Sequence, residues 1–290
     1  MAVLKILVPL IIGLCAYYFY SPESFSAEKV QGKRVLVTGS SAGIGEQIAY
    51  EFARMGANVM LTARRENLLE EVAQKCLELG ASSAGYVIAD MSNLTSAQKV
   101  IEETKSKLGG LDYLVLNHAG GNVGFHLYKG NMETVKSSMT INFLSYVQLT
   151  SSALDMLKQS EGSIIVISSM TGRIPSPFVI EYSAAKFALE GFYGGLRTEM
   201  RLRKINLAIT IAVLGYIDTE TAIREVSDKM TLVPSSKEEC AQKIVQGGVL
   251  RHREVIYPYW SQKFVLLLRD FIPDLVDKLV GKSYKVENIS

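Results

Sequence analysis

The sequence predicts an α/β protein: a doubly wound parallel sheet of about seven strands, preceded by an N-terminal apolar segment and followed by an amphipathic helical extension. Three observations predict it. From Lys33 onward, short β-branched runs alternate with segments of helical period. The runs are apolar on both faces, as strands covered on both sides must be. A turn holding three glycines follows directly on the first run. Right-handed crossovers then give a Rossmann-type arrangement.

Residues 1–22 read as a membrane anchor or a signal sequence. After Lys5, an apolar run from Ile6 to Tyr20 is interrupted only by Pro9 and Gly13. Counted from Ala2 it reaches about 19 residues, just enough to span a bilayer that needs ~20. Tyr17-Tyr18-Phe19-Tyr20 suits a membrane interface. Cleavage near Ser24-Phe25-Ser26, giving a secreted chain, is the competing reading. The aromatic cluster favours an uncleaved anchor. Lys5 before the run and Glu23 and Glu28 after it point to a cytoplasmic N-terminus and a lumenal body. The sequons Asn93-Leu94-Thr95 and Asn288-Ile289-Ser290 would be usable only in the lumen.

Residues 30–258 hold the alternating pattern. Strands are expected at 34–38, 58–62, 84–89, 111–117, 163–168, 207–213 and 254–257, and helices at 43–55, 66–79, 96–107, 132–158, 181–204 and 236–248. In residues 259–290, Phe264, Leu267, Leu268, Phe271, Leu275 and Leu279 are spaced by charged residues, which reads as one or two amphipathic helices interrupted at Pro273. They would pack on the domain or a partner subunit, or insert shallowly into a membrane.

The 290 residues suffice for one large domain, and a net charge of +2 with scattered basic residues asks for no nucleic acid. Cys15, Cys76 and Cys240 are too widely spaced for a metal pattern or a disulfide framework.

Chemistry concentrates at the carboxyl ends of the strands. Thr38-Gly39-Ser40-Ser41-Ala42-Gly43-Ile44-Gly45 joins the first strand to a helix. Glycines there let the backbone bend tightly and approach a pyrophosphate at the helix N-terminus. The second strand ends at Arg64-Arg65, where a carboxylate would select NAD; arginine there favours a 2′-phosphate, hence NADP(H). Arg64 and Arg65 also suit the solvated start of a helix. Asp90 after the third strand is placed to meet the adenine, and Asn117-His118-Ala119-Gly120 closes the fourth beneath the cofactor. Tyr182 and Lys186 stand four apart on one helical face, about a dozen residues after Ser169 at a strand end. A neighbouring ammonium is expected to lower the tyrosine pKa toward the working range of an acid/base.

With these motifs in view, the chain resembles the short-chain dehydrogenase/reductase family from about Lys33 to Tyr257. The shared patterns are Thr38–Gly45, Asn117–Gly120, Asn142, Ser169 and Tyr182–Lys186. The resemblance implies that Tyr182 moves the hydroxyl proton, Ser169 holds the substrate oxygen, Lys186 binds the nicotinamide ribose and Asn142 positions a water. In the family's P-G-x-x-x-T loop, leucine replaces proline at Leu214; Gly215, Ile217, Thr219 and Thr221 would meet the nicotinamide.

Within the family the chain is similar to the 11-beta-hydroxysteroid dehydrogenases of type 1 and the type 1-like branch, on 142–147, 214–221 and 257–260 among other stretches. That implies NADP(H), the endoplasmic reticulum, a homodimer and apolar, steroid-sized substrates. Two residues depart from type 1. Ala42 replaces a basic residue, leaving a 2′-phosphate to Arg64 and Arg65. Ser176-Pro177 replaces Tyr-Pro beside the substrate, a space that Tyr216 could partly refill. Retinoid or xenobiotic carbonyls, and a catalytically silent NADPH-binding scaffold, are the competing readings; the intact Asn142, Ser169, Tyr182 and Lys186 weigh against the scaffold.

Overall fold

The computed structural model describes residues 25–121 and 124–289, together with Leu10 and Gly13. The expected N-terminal anchor or signal sequence therefore falls almost wholly outside the described residues. Among the described residues no helix is long and apolar enough to cross a membrane.

Among the described residues seven strands form one all-parallel sheet: β1 (Arg34–Thr38), β2 (Asn58–Ala63), β3 (Ser83–Ile88), β4 (Tyr113–Leu116), β5 (Ser163–Ser169), β6 (Ala208–Leu214) and β7 (Glu254–Tyr257). Their order is β3-β2-β1-β4-β5-β6-β7. The order reverses between β1 and β4, and this switch opens a crevice at the carboxyl edge. At the opposite edge the Arg34 guanidinium clamps the two strands, its Nε 2.8 Å from Asp112 Oδ2. Burial works to raise the Asp112 pKa, but the hydrogen bonds and charge of Arg34 hold it below the usual carboxylate value.

Successive strand residues point to opposite faces. Val35 and Val37 of β1 join one core with Ile48 and Phe52 of α1 (Gly43–Arg54), Leu69 of α2 (Glu66–Glu78) and Ile244 of the helix Lys237–Val249. Leu36 faces the other core, made with Val100 of α3 (Leu94–Leu108), Leu149 and Leu189.

The segment expected as one helix over 132–158 is three pieces. Helix α4 (Met132–Met139) widens into a π turn at Thr140–Leu144 and continues as α5 (Ser145–Gln159). Asn142 sits in the wide turn. Such turns collect at functional sites because they re-aim a side chain without ending the helix. Helix α6 (Ile180–Leu202) follows β5. A short helix that the periodicity did not reveal, α7 (Glu220–Val226), follows β6 and is capped by Thr219, whose Oγ1 accepts the Ala222 N–H at 3.2 Å. α8 (Lys237–Val249) precedes β7, and the chain then runs through α9 (Tyr259–Phe271) and α10 (Pro273–Gly281). On this last pair Val276 alone is buried; Trp260 is 83% and Phe271 82% exposed, and Phe264, Leu267 and Leu279 continue the open apolar row.

Candidate active site

The glycine turn is built by exclusion. A Cβ at Gly39 would stand 2.6 Å from His118 Cα, and one at Gly45 would stand 2.4 Å from Gly39 O. Gly43 has φ +66°, with Thr219 Cγ2 only 3.1 Å from where its Cβ would be. The threonine of the loop after β6 thus faces the glycine turn across a narrow cleft. Ser40 spends its hydroxyl on β2, accepting the Thr62 N–H at 3.1 Å. Ser41 points outward and accepts from Arg65 Nη2 at 3.1 Å. Of the two candidate arginines, Arg65 is therefore the one tied to the turn. Arg64 lies near Asp90, whose carboxyl is held low first by the Ser92 backbone N–H and also by the Arg64 charge.

Asn117 and His118 were expected beneath a cofactor, and their side chains hold the turn itself. Asn117 Nδ2 donates to Thr38 O and Gly39 O, both at 3.1 Å. His118 Nδ1 is 2.8 Å from Thr38 Oγ1, and its Nε2 lies 3.1 Å from Ile141 O and 2.7 Å from Ser145 Oγ. Burial, and then the charge of Lys186, push His118 down to about 3, so the ring is neutral. The arrangement that satisfies every group has the Thr38 hydroxyl donating to Nδ1 and the Nε2–H facing Ile141 O. Ala119 stays exposed on the crevice side.

Of the four residues singled out for catalysis, Ser169, Tyr182 and Lys186 gather at the end of β5, and Asn142 sits in the π turn. Ser169 closes that strand and caps the next turn, its Oγ accepting the Thr171 N–H at 3.2 Å, which leaves its own hydroxyl hydrogen free to donate. The turn lies directly on α6, where a Cβ at Gly172 would meet Lys186 O at 2.9 Å. Lys186 is 1% exposed. Its Nζ donates to Ile167 O at 2.8 Å and lies 5.1 Å from the Tyr146 ring centroid and 5.4 Å from that of Tyr182. Asn142, fully buried, commits its amide to Gly120 O at 2.8 Å and Ser138 O at 3.0 Å.

The electrostatics differ from the sequence expectation. Burial pushes the Tyr182 phenol up to about 12 and the Lys186 ammonium down to about 7, with Glu190 opposing the second shift. The ammonium stands off the face of the ring, so desolvation outweighs its pull on the phenol. A protonated Tyr182 is the form that gives a proton to a developing alkoxide.

Beside Ser176 stands a residue that motif spacing could not supply. Tyr284, beyond α10, returns to the mouth of the sheet, where Thr231 N–H donates to Ser283 O and Lys285 N–H to Lys229 O. Its ring packs edge-on against Phe125 at 5.8 Å and Phe178 at 5.5 Å, and its hydroxyl hydrogen-bonds Ser176. The aromatic ring hydrogen-bonded to Ser176 is thus Tyr284. Tyr216 is half-buried, with its phenol pushed up by burial. Ile217 is buried and Thr221 exposed.

The short chain dehydrogenase family pattern matches residues 33–230, which takes in the glycine turn, Ser169, Tyr182 and Lys186. The chain belongs to the short-chain dehydrogenase/reductase family. It is 58% identical to the hydroxysteroid 11-beta-dehydrogenase 1-like protein B of Xenopus laevis over 287 residues, covering 99% of each chain. Protein A of the same name and organism is also 58% identical, over 98% of each chain. Among solved structures it resembles a short chain dehydrogenase from Burkholderia cenocepacia J2315 in complex with NADP, with a TM-score of 0.68 and 25% identity over 79% of this chain and 97% of that one. As a short-chain dehydrogenase/reductase of the hydroxysteroid dehydrogenase-like group, this chain is an oxidoreductase acting on CH–OH groups.

Proposed function

We propose that this short-chain dehydrogenase/reductase uses NADP(H) to interconvert a ketone and a secondary alcohol on an apolar, steroid-sized substrate, with Tyr182 as its acid/base. The observation that carries the chemistry is the convergence of a donating Ser169 hydroxyl, Tyr182 and the buried Lys186 at the end of β5. When bound, NADPH supplies a hydride to the carbonyl carbon. Ser169 donates to the carbonyl oxygen, Tyr182 gives its proton to the same oxygen as the C=O bond becomes C–O–H, and the Lys186 charge favours the phenolate left behind. Oxidation of the alcohol runs these steps backward.

The dinucleotide fits the residues present. The positive-φ Gly43, the crowding at Gly39 and Gly45, and the start of α1 make a backbone approach suited to a pyrophosphate, and Arg65 with Ser41 supplies donors for a 2′-phosphate. The relatives' hydroxysteroid dehydrogenase-like names and the ring wall of Phe125, Phe178 and Tyr284 support the apolar substrate. Purified protein with NADPH or NADH and a panel of keto-steroids, beside a Tyr182→Phe variant, tests the reading. Reduction with NADPH, weak with NADH and lost in the variant, supports it. Cofactor binding without turnover of any keto-steroid overturns the steroid and moves the search to retinoid and xenobiotic carbonyls.

We further propose an endoplasmic-reticulum protein with a lumenal body, anchored by its N-terminus, with the open apolar row of α9 and α10 turned to the bilayer. Asn93 of the first sequon is exposed, whereas Asn288 donates its amide to Asp228 O. Digestion of the body by protease in sealed microsomes would overturn the lumenal placement. A homodimer through α6 is supported by Gly191 and Gly195, where a Cβ would meet nothing within 4 Å, and by the exposed Phe187 and Leu202 on the same helix; sedimentation of the detergent-solubilised protein as a monomer would overturn it.

A further inference from the structure

We propose that His126 and Glu181 form a proton-dependent clasp that positions residues 124–131, before α4, over the substrate side of the site. The inference rests on the ketone-reducing reading above. Glu181 is 4% exposed and stands in the first turn of α6, immediately before Tyr182. A buried carboxylate is costly unless it is paired. Its Oε1 lies 3.2 Å from His126 Nε2 and 3.1 Å from Thr134 Oγ1, whose one hydrogen is divided between this carboxylate and Asn131 O at 2.7 Å. These contacts join three parts of the site: the catalytic helix, α4, and the segment that carries Phe125.

The hydrogen count on His126 gives the clasp its proton dependence. Nδ1 lies 2.9 Å from Gly124 O, and Nε2 faces the carboxylate. A carbonyl and a carboxylate only accept, so both ring nitrogens carry hydrogen when both contacts are made, and the ring is an imidazolium. The His126 amide also donates to Phe178 O at 2.9 Å, which ties the segment to a second ring of the substrate wall.

Groups from the neighbouring elements also face this pair. From α6 the facing group is Glu181, and from α4 it is the neutral Thr134, with Glu133 and Lys136 paired to each other in solvent. From α7, Glu225 reaches the segment at Gly124, where a Cβ would stand 2.6 Å from its Oε2; that carboxylate is also paired with Arg224. From the C-terminal segment, Tyr284 packs on Phe125, and on His126's own segment Lys129 is exposed.

Loss of one proton from His126 sets a lone pair against an acceptor and releases either Gly124 or Glu181. His126 is therefore a positioning residue acting through Glu181, with the clasp closed while the ring holds both protons and released when it loses one.

Two measurements test this between pH 6 and 8.5. The first is the steady-state KM for the ketone and for NADPH. In the native protein the ketone KM should rise about tenfold with pH while the NADPH KM stays level, since one charge-assisted hydrogen bond is worth roughly that factor or more. His126→Gln and Glu181→Gln should show a high ketone KM that no longer follows pH, with the loss in KM rather than kcat. The second is hydrogen exchange of the amides in 124–134 without substrate, which should quicken beyond the ordinary base-catalysed rise in the native protein but not in His126→Gln. A wild-type pH dependence that survives in either variant overturns the clasp, as does exchange that is the same in native and variant protein. Altered exchange without any ketone turnover keeps the clasp and overturns the ketone reading instead.

Discussion

The Lys186 ammonium stands 5.1 Å from the centroid of the Tyr146 ring, and that ring is pinned by its own hydroxyl, which donates to His118 O at 2.7 Å. The π turn at Thr140–Leu144 sets the register that delivers Tyr146 to this place, where it is fully buried. A cation over an aromatic face in a dry site gains about 1–2 kcal/mol. Tyr146→Leu should therefore lower the Lys186 pKa by about one unit, at ~1.4 kcal/mol per unit. The alkaline limb of the rate–pH profile should move down with it. Tyr146→Phe keeps the ring and should leave the limb in place. A profile unmoved in the leucine variant would remove Tyr146 from any role in holding the lysine.

Lys186 also makes a prediction about stability. Burial brings its pKa in the folded chain from 10.5 down to about 7. Between those two values the unfolded chain holds a proton that the folded chain does not, so stability rises with pH across that window and the full penalty is present below about 7. Lys186→Met removes the penalty. Urea titrations without cofactor should find the variant more stable than the native protein at pH 6.5, by a few kcal/mol at most, and the gap should close toward pH 10. A gap that does not narrow would mean that the lysine is not destabilised by burial.

Arg65 reaches Ser41 at 3.1 Å, and Arg64 does not share that contact. The two arginines are therefore unequal. Arg65→Ala should raise the NADPH KM by about 10- to 100-fold, the worth of one charge-assisted hydrogen bond, and leave the NADH KM nearly unchanged. Arg64→Ala should do less. Equal effects, or a matching loss for NADH, would overturn the assignment of the 2′-phosphate to Arg65.

Tyr284 makes two edge-to-face ring contacts, each worth about 0.5–1.5 kcal/mol beyond its buried area. Tyr284→Ala should raise the KM for an apolar ketone about tenfold, while the KM for a small ketone that does not reach the wall moves little. Equal losses on both substrates would make the residue merely structural.

What the sequence discloses and what it hides divide along chain distance. The glycine turn and Tyr182–Lys186 are legible because their parts are a few residues apart and local spacing alone faces them together. The alternation of strand and helix is legible because burial on both faces leaves its mark on each short run. Contacts made by packing leave no such mark. His126 and Glu181 meet across 55 positions, and Tyr284 reaches Phe125 from the far end of the chain. The π turn is equally silent, since Met132–Gln159 keeps one helical period through it. Arg64 and Arg65 read alike as letters; only the side-chain path to Ser41 separates them. The expected drop in the Tyr182 pKa failed because spacing gives proximity to an ammonium but not the depth at which both groups lie.

The strand order carries a practical consequence. Arg65 follows β2 and Asp90 follows β3, on one side of the reversal; Ser169 ends β5, and Thr219 follows β6, on the other. The residues proposed to grip the dinucleotide's adenosine end and those proposed to perform the chemistry thus stand on separate halves of one sheet, and at the seam the Thr38 hydroxyl of β1 meets both Asn117 and His118. Coenzyme preference should therefore yield to changes made between β1 and β3 that leave the proposed reacting groups untouched.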